Sequence, residues 1–250
     1  MSDAIEPAYM AWARERFGKP ASLGGASTSQ TRPSGPTHDR HPVLAALPAE
    51  ARLTIYRRGR LCDIAAGDRF GGGDYVHFLL EGAVGLFPND GAGICLGLAG
   101  PGSVVNAEAL ADTPCHREMT VLVKGAVLAL RGPELAMILG RERADRLLID
   151  QMLAERNALD REVACNALHL TAARLARWLL ILDEAAGGAD IHVTQAYLAE
   201  MLGVQRTSVN AAARSLHDSG GLRFVRGRVR ILDRAVLEAR ACECCGAPQR

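Results

Sequence analysis

Thr194-Gln-Ala-Tyr-Leu-Ala-Glu-Met-Leu-Gly-Val-Gln-Arg-Thr-Ser-Val-Asn-Ala-Ala-Ala-Arg214 is the stretch that decides how this chain is read. Leu198, Leu202, Val204, Val209 and Ala212 fall where two short helices would pack around a tight turn, and Ala199 is small where they would come closest. Gly203 falls at the turn, where a positive φ costs glycine least. Gln205, Arg206, Thr207, Asn210 and Arg214 are left on the outer side of the second helix. Arginine donates two hydrogen bonds to guanine, amides match adenine, and hydroxyls reach phosphates or base edges. The pattern predicts a helix-turn-helix that binds duplex DNA. Gln205, Arg206, Thr207 and Asn210 would read bases, while Ser208 and Arg214 would hold phosphates.

The residues that follow sharpen this expectation. Gly220-Gly-Leu-Arg-Phe-Val-Arg-Gly-Arg-Val-Arg-Ile-Leu-Asp233 reads as a hairpin turning at Arg226-Gly227-Arg228, a wing directly behind the second helix. Between Gly203 and Arg230 stand Arg206, Arg214, Arg223, Arg226, Arg228 and Arg230, against the single acidic residue Asp218. A solvated charged face would mix both signs, whereas one sign of charge suits phosphate neutralisation. Arg226 and Arg228 join the expected phosphate contacts.

Across 250 residues the net charge is only +1, so the positive charge is local to this module. The apolar share of 48% and charged share of 23% are those of a globular chain long enough for two cores. No apolar run is long enough to span a bilayer, and no basic-then-apolar leader is legible, so a cytoplasmic location is expected. The seven cysteines (62, 95, 115, 165, 242, 244 and 245) form no pair of CxxC motifs. Cys242-Glu-Cys-Cys245 is too crowded to surround a tetrahedral ion by itself, and Cys165 reads as a buried packing residue. No metal site and no cofactor are expected.

The rest of the chain divides by texture. Residues 1–41 are rich in Ser, Thr, Gly and Pro apart from a short helical stretch at Ala8–Phe17, and read as a flexible segment. From about Leu44 to Leu130, short apolar runs alternate with glycine-bearing turns, as in Val76–Leu80, Ala83–Phe87, Ile94–Leu98 and Thr120–Val123. That punctuation suggests an antiparallel roll over residues 42–131. A long helical pattern over 132–168 follows, interrupted only at Gly140, and a helix of that length needs a partner along its apolar stripe. A second copy of the chain is the simplest partner. The DNA-binding unit spans 171–245 and a tail 246–250 closes the chain. The expected fold class is α+β: a jelly-roll-type sensor, a dimerisation helix and a winged helix-turn-helix.

This order resembles the Crp/Fnr family of bacterial transcription regulators over roughly residues 43 to 245. The matching segments are Ala66-Gly67, Phe78-Leu-Leu-Glu-Gly-Ala-Val84, Ala99-Gly-Pro-Gly-Ser-Val104, Arg174-Leu-Ala-Arg-Trp-Leu-Leu180 and Thr194 through Leu216. Arg240-Ala-Cys-Glu-Cys244 is similar to the tail of one branch of the family. The resemblance implies a cyclic-nucleotide-binding-like roll, a homodimer, a two-fold symmetric promoter site, RNA polymerase as a further partner, and a small-molecule effector. In the family a Gly-Glu-Leu segment and an Arg-Ser/Thr pair surround a cyclic phosphate. Here that region carries Asn106, Glu108, His116 and Arg117, with Asn106 in place of the glycine and no hydroxyl after Arg117. These four are the candidate effector pocket, and their donor set is incomplete for a phosphate. Residues 1–61 hold no cysteine, which excludes the branch with an N-terminal iron–sulfur cluster. Haem would need His77, His116 or His169 as an axial ligand. The family's best-known recognition helix carries Arg-Glu and a second Arg four residues after the Glu; Arg206, Thr207 and Ala211 occupy those positions here. A different half-site is implied.

Two other classes make different demands on the sequence. A redox- or metal-responsive protein would place its chemistry in the C-terminal cysteines. An enzyme would need a nucleophile–base set, a metal triad or a phosphate loop, and residues 44–130 show none.

Overall fold

Two helices come first: α1 (Pro42–Ala45) and α2 (Ala49–Arg58), in a computed structural model that describes residues 41–71, 73–89, 93–113, 115, 117–225 and 227–245. The helical stretch expected at Ala8–Phe17 lies outside the described residues. Strand texture from Leu44 onward is corrected here. Pro42 sits in the first turn of α1, and the Ala-Glu-Ala-Arg run of α2 favours helix, so Leu44 and Ile55 bury as helical residues against the roll.

The roll is a six-stranded antiparallel sheet made of β1 (Arg60–Ile64), β2 (Arg69–Gly71), β3 (Tyr75–Pro88), β4 (Gly97–Ala99), β5 (Val104–Val105) and β6 (Arg117–Arg131). Its spine is the long pairing of β3 with β6, with β1 and β2 added on β6 and β4 and β5 on β3. Register shifts between Leu79 and Val84 curl that pair. Successive side chains leave opposite faces of a strand, and both faces are covered here. Val76, Phe78, Leu128 and Leu130 pack outward against the helices, while Leu79, Val84, Met119, Val121 and Val127 fill the interior. Burying each such side chain is worth about 1.5–3 kcal/mol.

The expected long helix is two helices. α3 (Gly132–Leu139) ends at Gly140, whose φ of 73° and ψ of 157° leave the helical region, and α4 (Arg141–Leu168) begins directly after it. α4 has 28 residues, about 42 Å at 1.5 Å per residue. Its buried residues are Ala144 and Leu147 near one end and Cys165 near the other. Between them Ile149, Met152, Leu153, Leu159 and Val163 are exposed, within an arc of about 120° at 100° per residue.

The last unit contains α5 (Thr171–Ala186), α6 (Gln195–Leu202), α7 (Arg206–Asp218), β7 (Leu222–Val225), β8 (Arg228–Ile231) and α8 (Arg234–Arg240). Leu175, Leu179 and Leu182 of α5 pack with Leu198, Val209, Leu216, Leu222 and Val229, so helices and wing share one core. Among the described residues no helix is long and apolar enough to cross a membrane.

Candidate nucleic-acid interface

Each part of the helix-turn-helix has a local cause. The Thr194 hydroxyl caps α6 by accepting from the Tyr197 amide at 3.1 Å. Gly203 adopts φ 63° at the turn, and its amide bonds back to the Glu200 carbonyl. A side chain at that φ would cost about 1–2 kcal/mol. Buried Arg174 of α5 reinforces the turn by donating to the Leu202 carbonyl at 2.5 Å. The second helix then starts at Arg206 with Val209, Ala212, Ala213 and Leu216 inward.

The predicted reading residues sort by exposure. Gln205, Arg206, Thr207 and Arg214 are exposed, Ser208 is half-buried, and Thr207 donates to the Gln205 side chain at 3.4 Å. Asn210 differs: its Oδ1 is buried and has no hydrogen-bond partner, so this amide faces the helix pair more than the solvent. The wing pairs Leu222 with Ile231 and Val225 with Arg228, leaving a tight turn at Gly227 with φ 78°. Arg228 is exposed beside it, and Arg226 lies outside the described residues.

One of the six arginines is corrected. Arg230 is held by Asp190, with contacts of 2.5 and 3.1 Å, because the fold brings the strand-like segment at Ile191 against Val229. That pairing pulls the Asp190 carboxyl below its ordinary range and removes Arg230 from the free positive charge. Among the described residues Arg206, Arg214, Arg223 and Arg228 form no ion pair.

The Crp-like helix-turn-helix domain model matches residues 173–240, the unit just described. Residues 173–240 are therefore a Crp-like helix-turn-helix domain. Among solved structures, the chain is similar to a Crp/Fnr-family protein of Eubacterium rectale, at 14% identity and TM-score 0.61 over 80% of this chain and 97% of that one. It is also similar to a CRP/FNR-family transcriptional regulator of Thermus thermophilus, at 23% identity and TM-score 0.56 over 73% and 98% of the two chains. FixK2 of Bradyrhizobium japonicum aligns at 20% identity and TM-score 0.56 over 74% and 98%. At these identities the likeness is one of fold. No curated protein matches the sequence.

The candidate effector residues do not form an open anion site. Asn106 sits at φ 60°, a conformation asparagine tolerates better than most residues. Its amide donates to the carbonyls of Gly73 and Tyr75, both at 2.8 Å, so it clamps a turn. Glu108 and Arg117 do meet, as an ion pair, but Glu155 of α4 joins them from 2.6 Å on the other side of the guanidinium. Glu155 carried no signal in the sequence because its partner is on the roll. One cation facing two carboxylates is a poor receptor for a phosphate. His116 lies outside the described residues. His77, the buried haem candidate, packs its ring 4.9 Å from Phe70, and burial pulls it down to about 4, so it is neutral at pH 7. His169 caps the end of α4.

The roll touches the reading unit directly. The Cys95 amide donates to the Met201 carbonyl at 3.1 Å, and Phe87, Cys95, Leu122 and Val123 share the reading unit's core. Tyr197 lies with its ring 6.4 Å from Phe87 and its hydroxyl bonded to Thr120. On the other side, Glu162 of α4 pairs with Arg177 of α5, both nearly buried, across the bend at His169–Leu170. Sequence reasoning missed one cluster here. Cys165, expected as a packing residue, is indeed fully buried, yet its Sγ lies 3.5 Å from that of Cys242. Burial, together with the bonded Cys242 thiol, pushes Cys165 up to about 12.

Proposed function

We propose that this chain is a transcription regulator of the Crp/Fnr type, a homodimer that reads a two-fold symmetric duplex site with Gln205, Arg206 and Thr207, while Ser208, Arg214, Arg226 and Arg228 hold phosphates. The observation that carries this is the exposed face of α7, where Arg206 and Arg214, like Arg228 of the wing, are exposed and form no ion pair among the described residues. Arg206 supplies about 1–3 kcal/mol of discrimination through a bidentate contact with guanine. Thr207 and Ala211 provide no carboxylate or second guanidinium, so the half-site differs from the one read by Arg-Glu-Arg helices. Asn210 contributes an adenine contact only if its amide turns out of the helix pair.

The apolar arc of α4 supports the dimer. Ile149, Met152, Leu153, Leu159 and Val163 have no cover among the described residues, and a second α4 would bury them as a coiled-coil seam. Such pairing sets two reading helices about 34 Å apart over one face of the duplex. The roll acts on the reader through the contact of Cys95 with Met201 and through the Arg117–Glu155 tie to α4. Its effector is not a cyclic phosphate bound by Arg117, since Glu108 and Glu155 already occupy that cation. RNA polymerase is the cytoplasmic partner a promoter-bound regulator implies.

Selection from a pool of random duplexes tests this. The purified protein is expected to enrich an inverted repeat, and Arg206→Ala to lose preference at one base of each half-site. Enrichment of no sequence, or an unchanged preference in Arg206→Ala, would remove the assignment of α7 as the reading helix.

A further inference from the structure

Three thiols converge at the bend between the long helix and the reading unit. Cys165 is fully buried in the last turns of α4, Cys242 is buried just after α8, and Cys244 is half-buried two residues on. Their Sγ atoms all lie within 4.8 Å of one another, and those of Cys165 and Cys242 are 3.5 Å apart. A cation with metal–sulfur bonds near 2.3 Å in tetrahedral geometry sets its sulfurs about 3.8 Å apart. A disulfide instead needs about 2.05 Å. The observed spacing is therefore close to that of thiolates sharing one ion.

Two buried cations would offset part of the cost of burying the charge that results. Three thiolates around a divalent ion carry one net negative charge. The guanidinium groups of Arg174 and Arg177, both buried on α5, lie close enough to act electrostatically on Cys165 and Cys242. Neither spends its charge freely on solvent: Arg177 meets Glu162, and Arg174 bonds the Leu202 carbonyl at the helix-turn-helix turn.

We propose that Cys165, Cys242 and Cys244 form a binding site for Zn(II), with three protein thiolates and a fourth position for an exogenous ligand. Binding releases the thiol protons and involves no change of oxidation state. The ion pins the C-terminal segment to the end of α4, on the same bend braced by Glu162 and Arg177. It would also hold Arg174, and through it the turn at Gly203, in one setting.

Co(II) is the probe, because its thiolate complexes absorb intensely in the near ultraviolet, with Zn(II) as competitor. The full-length reduced protein is expected to show a charge-transfer band that saturates at one Co(II) per chain and disappears on adding Zn(II). Cys165→Ser should weaken Co(II) binding at least tenfold, and Cys244→Ser, at the half-buried edge, should do so without loss of helix content. Cys62→Ser, on β1, should bind as the unaltered chain does. Absence of the band, or unchanged affinity in a folded Cys165→Ser protein, would overturn the site. The titration needs no DNA, so its failure and a failure of sequence reading are seen separately.

Discussion

Arg117, at the start of β6, lies 2.6 Å from Glu155 in the middle of α4, so one ion pair joins the roll to the helix that carries the reading unit. Glu108 shares the same guanidinium. Arg117→Met leaves two carboxylates facing each other without a cation, at a cost of about 1–3 kcal/mol. Burial raises the Glu155 carboxyl above its ordinary value while Arg117 opposes the rise. A raised carboxyl penalises the fold as pH climbs through its folded value and does not below the unfolded one. The loss of stability in Arg117→Met should therefore shrink on acidification. Urea denaturation near pH 5 and pH 8 checks this, and an equal loss at both would count against the pairing.

Arg228 is exposed at the wing and forms no ion pair among the described residues. Arg228→Ala should weaken binding to all duplexes alike and reduce the slope of log affinity against log salt by about 1. Arg230→Ala should change that slope little, because Asp190 already neutralises Arg230. Fluorescence anisotropy across a salt series separates the two.

Met152 is 54% exposed within the apolar arc of α4. In a paired helix Met152→Glu sets like charges opposite each other and should shift the protein to monomer, with at least a tenfold loss of affinity for an inverted repeat. Sedimentation equilibrium reads the mass. A variant that keeps the mass of the unaltered protein would show that the arc is not the seam.

His77 is neutral in the fold because burial pulls it down to about 4, against 6.5 for a free histidine. The unfolded chain thus binds a proton that the native chain does not between those values. The stabilising effect is complete above about 6.5 and lost as pH falls towards 4, by on the order of 3 kcal/mol in total. His77→Phe should flatten this dependence. Thermal unfolding of both proteins at pH 5 and pH 7 is the measurement, and identical pH slopes would exclude His77 as the source.

The helix-turn-helix was legible because its determinants are local. The Thr194 cap, the Gly203 turn and the inward Val209 and Leu216 all lie within one short segment, and the wing follows from alternation around Gly227. The roll was legible as a class through its glycine-bearing turns, but α1 and α2 were not, since their few apolar residues look the same as short strand runs. The break at Gly140 was visible as an interruption. Only the backbone, at φ 73°, made it an end.

What the sequence determined by itself was therefore set by neighbours in the chain: the helix-turn-helix and its wing, the strand-rich class of the roll, and the apolar stripe of the long helix. What the tertiary structure decided were pairings between distant segments. Asp190 takes Arg230 out of the positive surface, Glu155 completes the ion pair that closes the candidate pocket, and Asn106 clamps the turn at Gly73. Cys165 meets Cys242 across 77 positions of chain, with Cys244 beside them. No periodicity encodes such contacts. They arise when burial of two separate apolar cores brings polar groups together, and each group must then find its partner where the fold has left it.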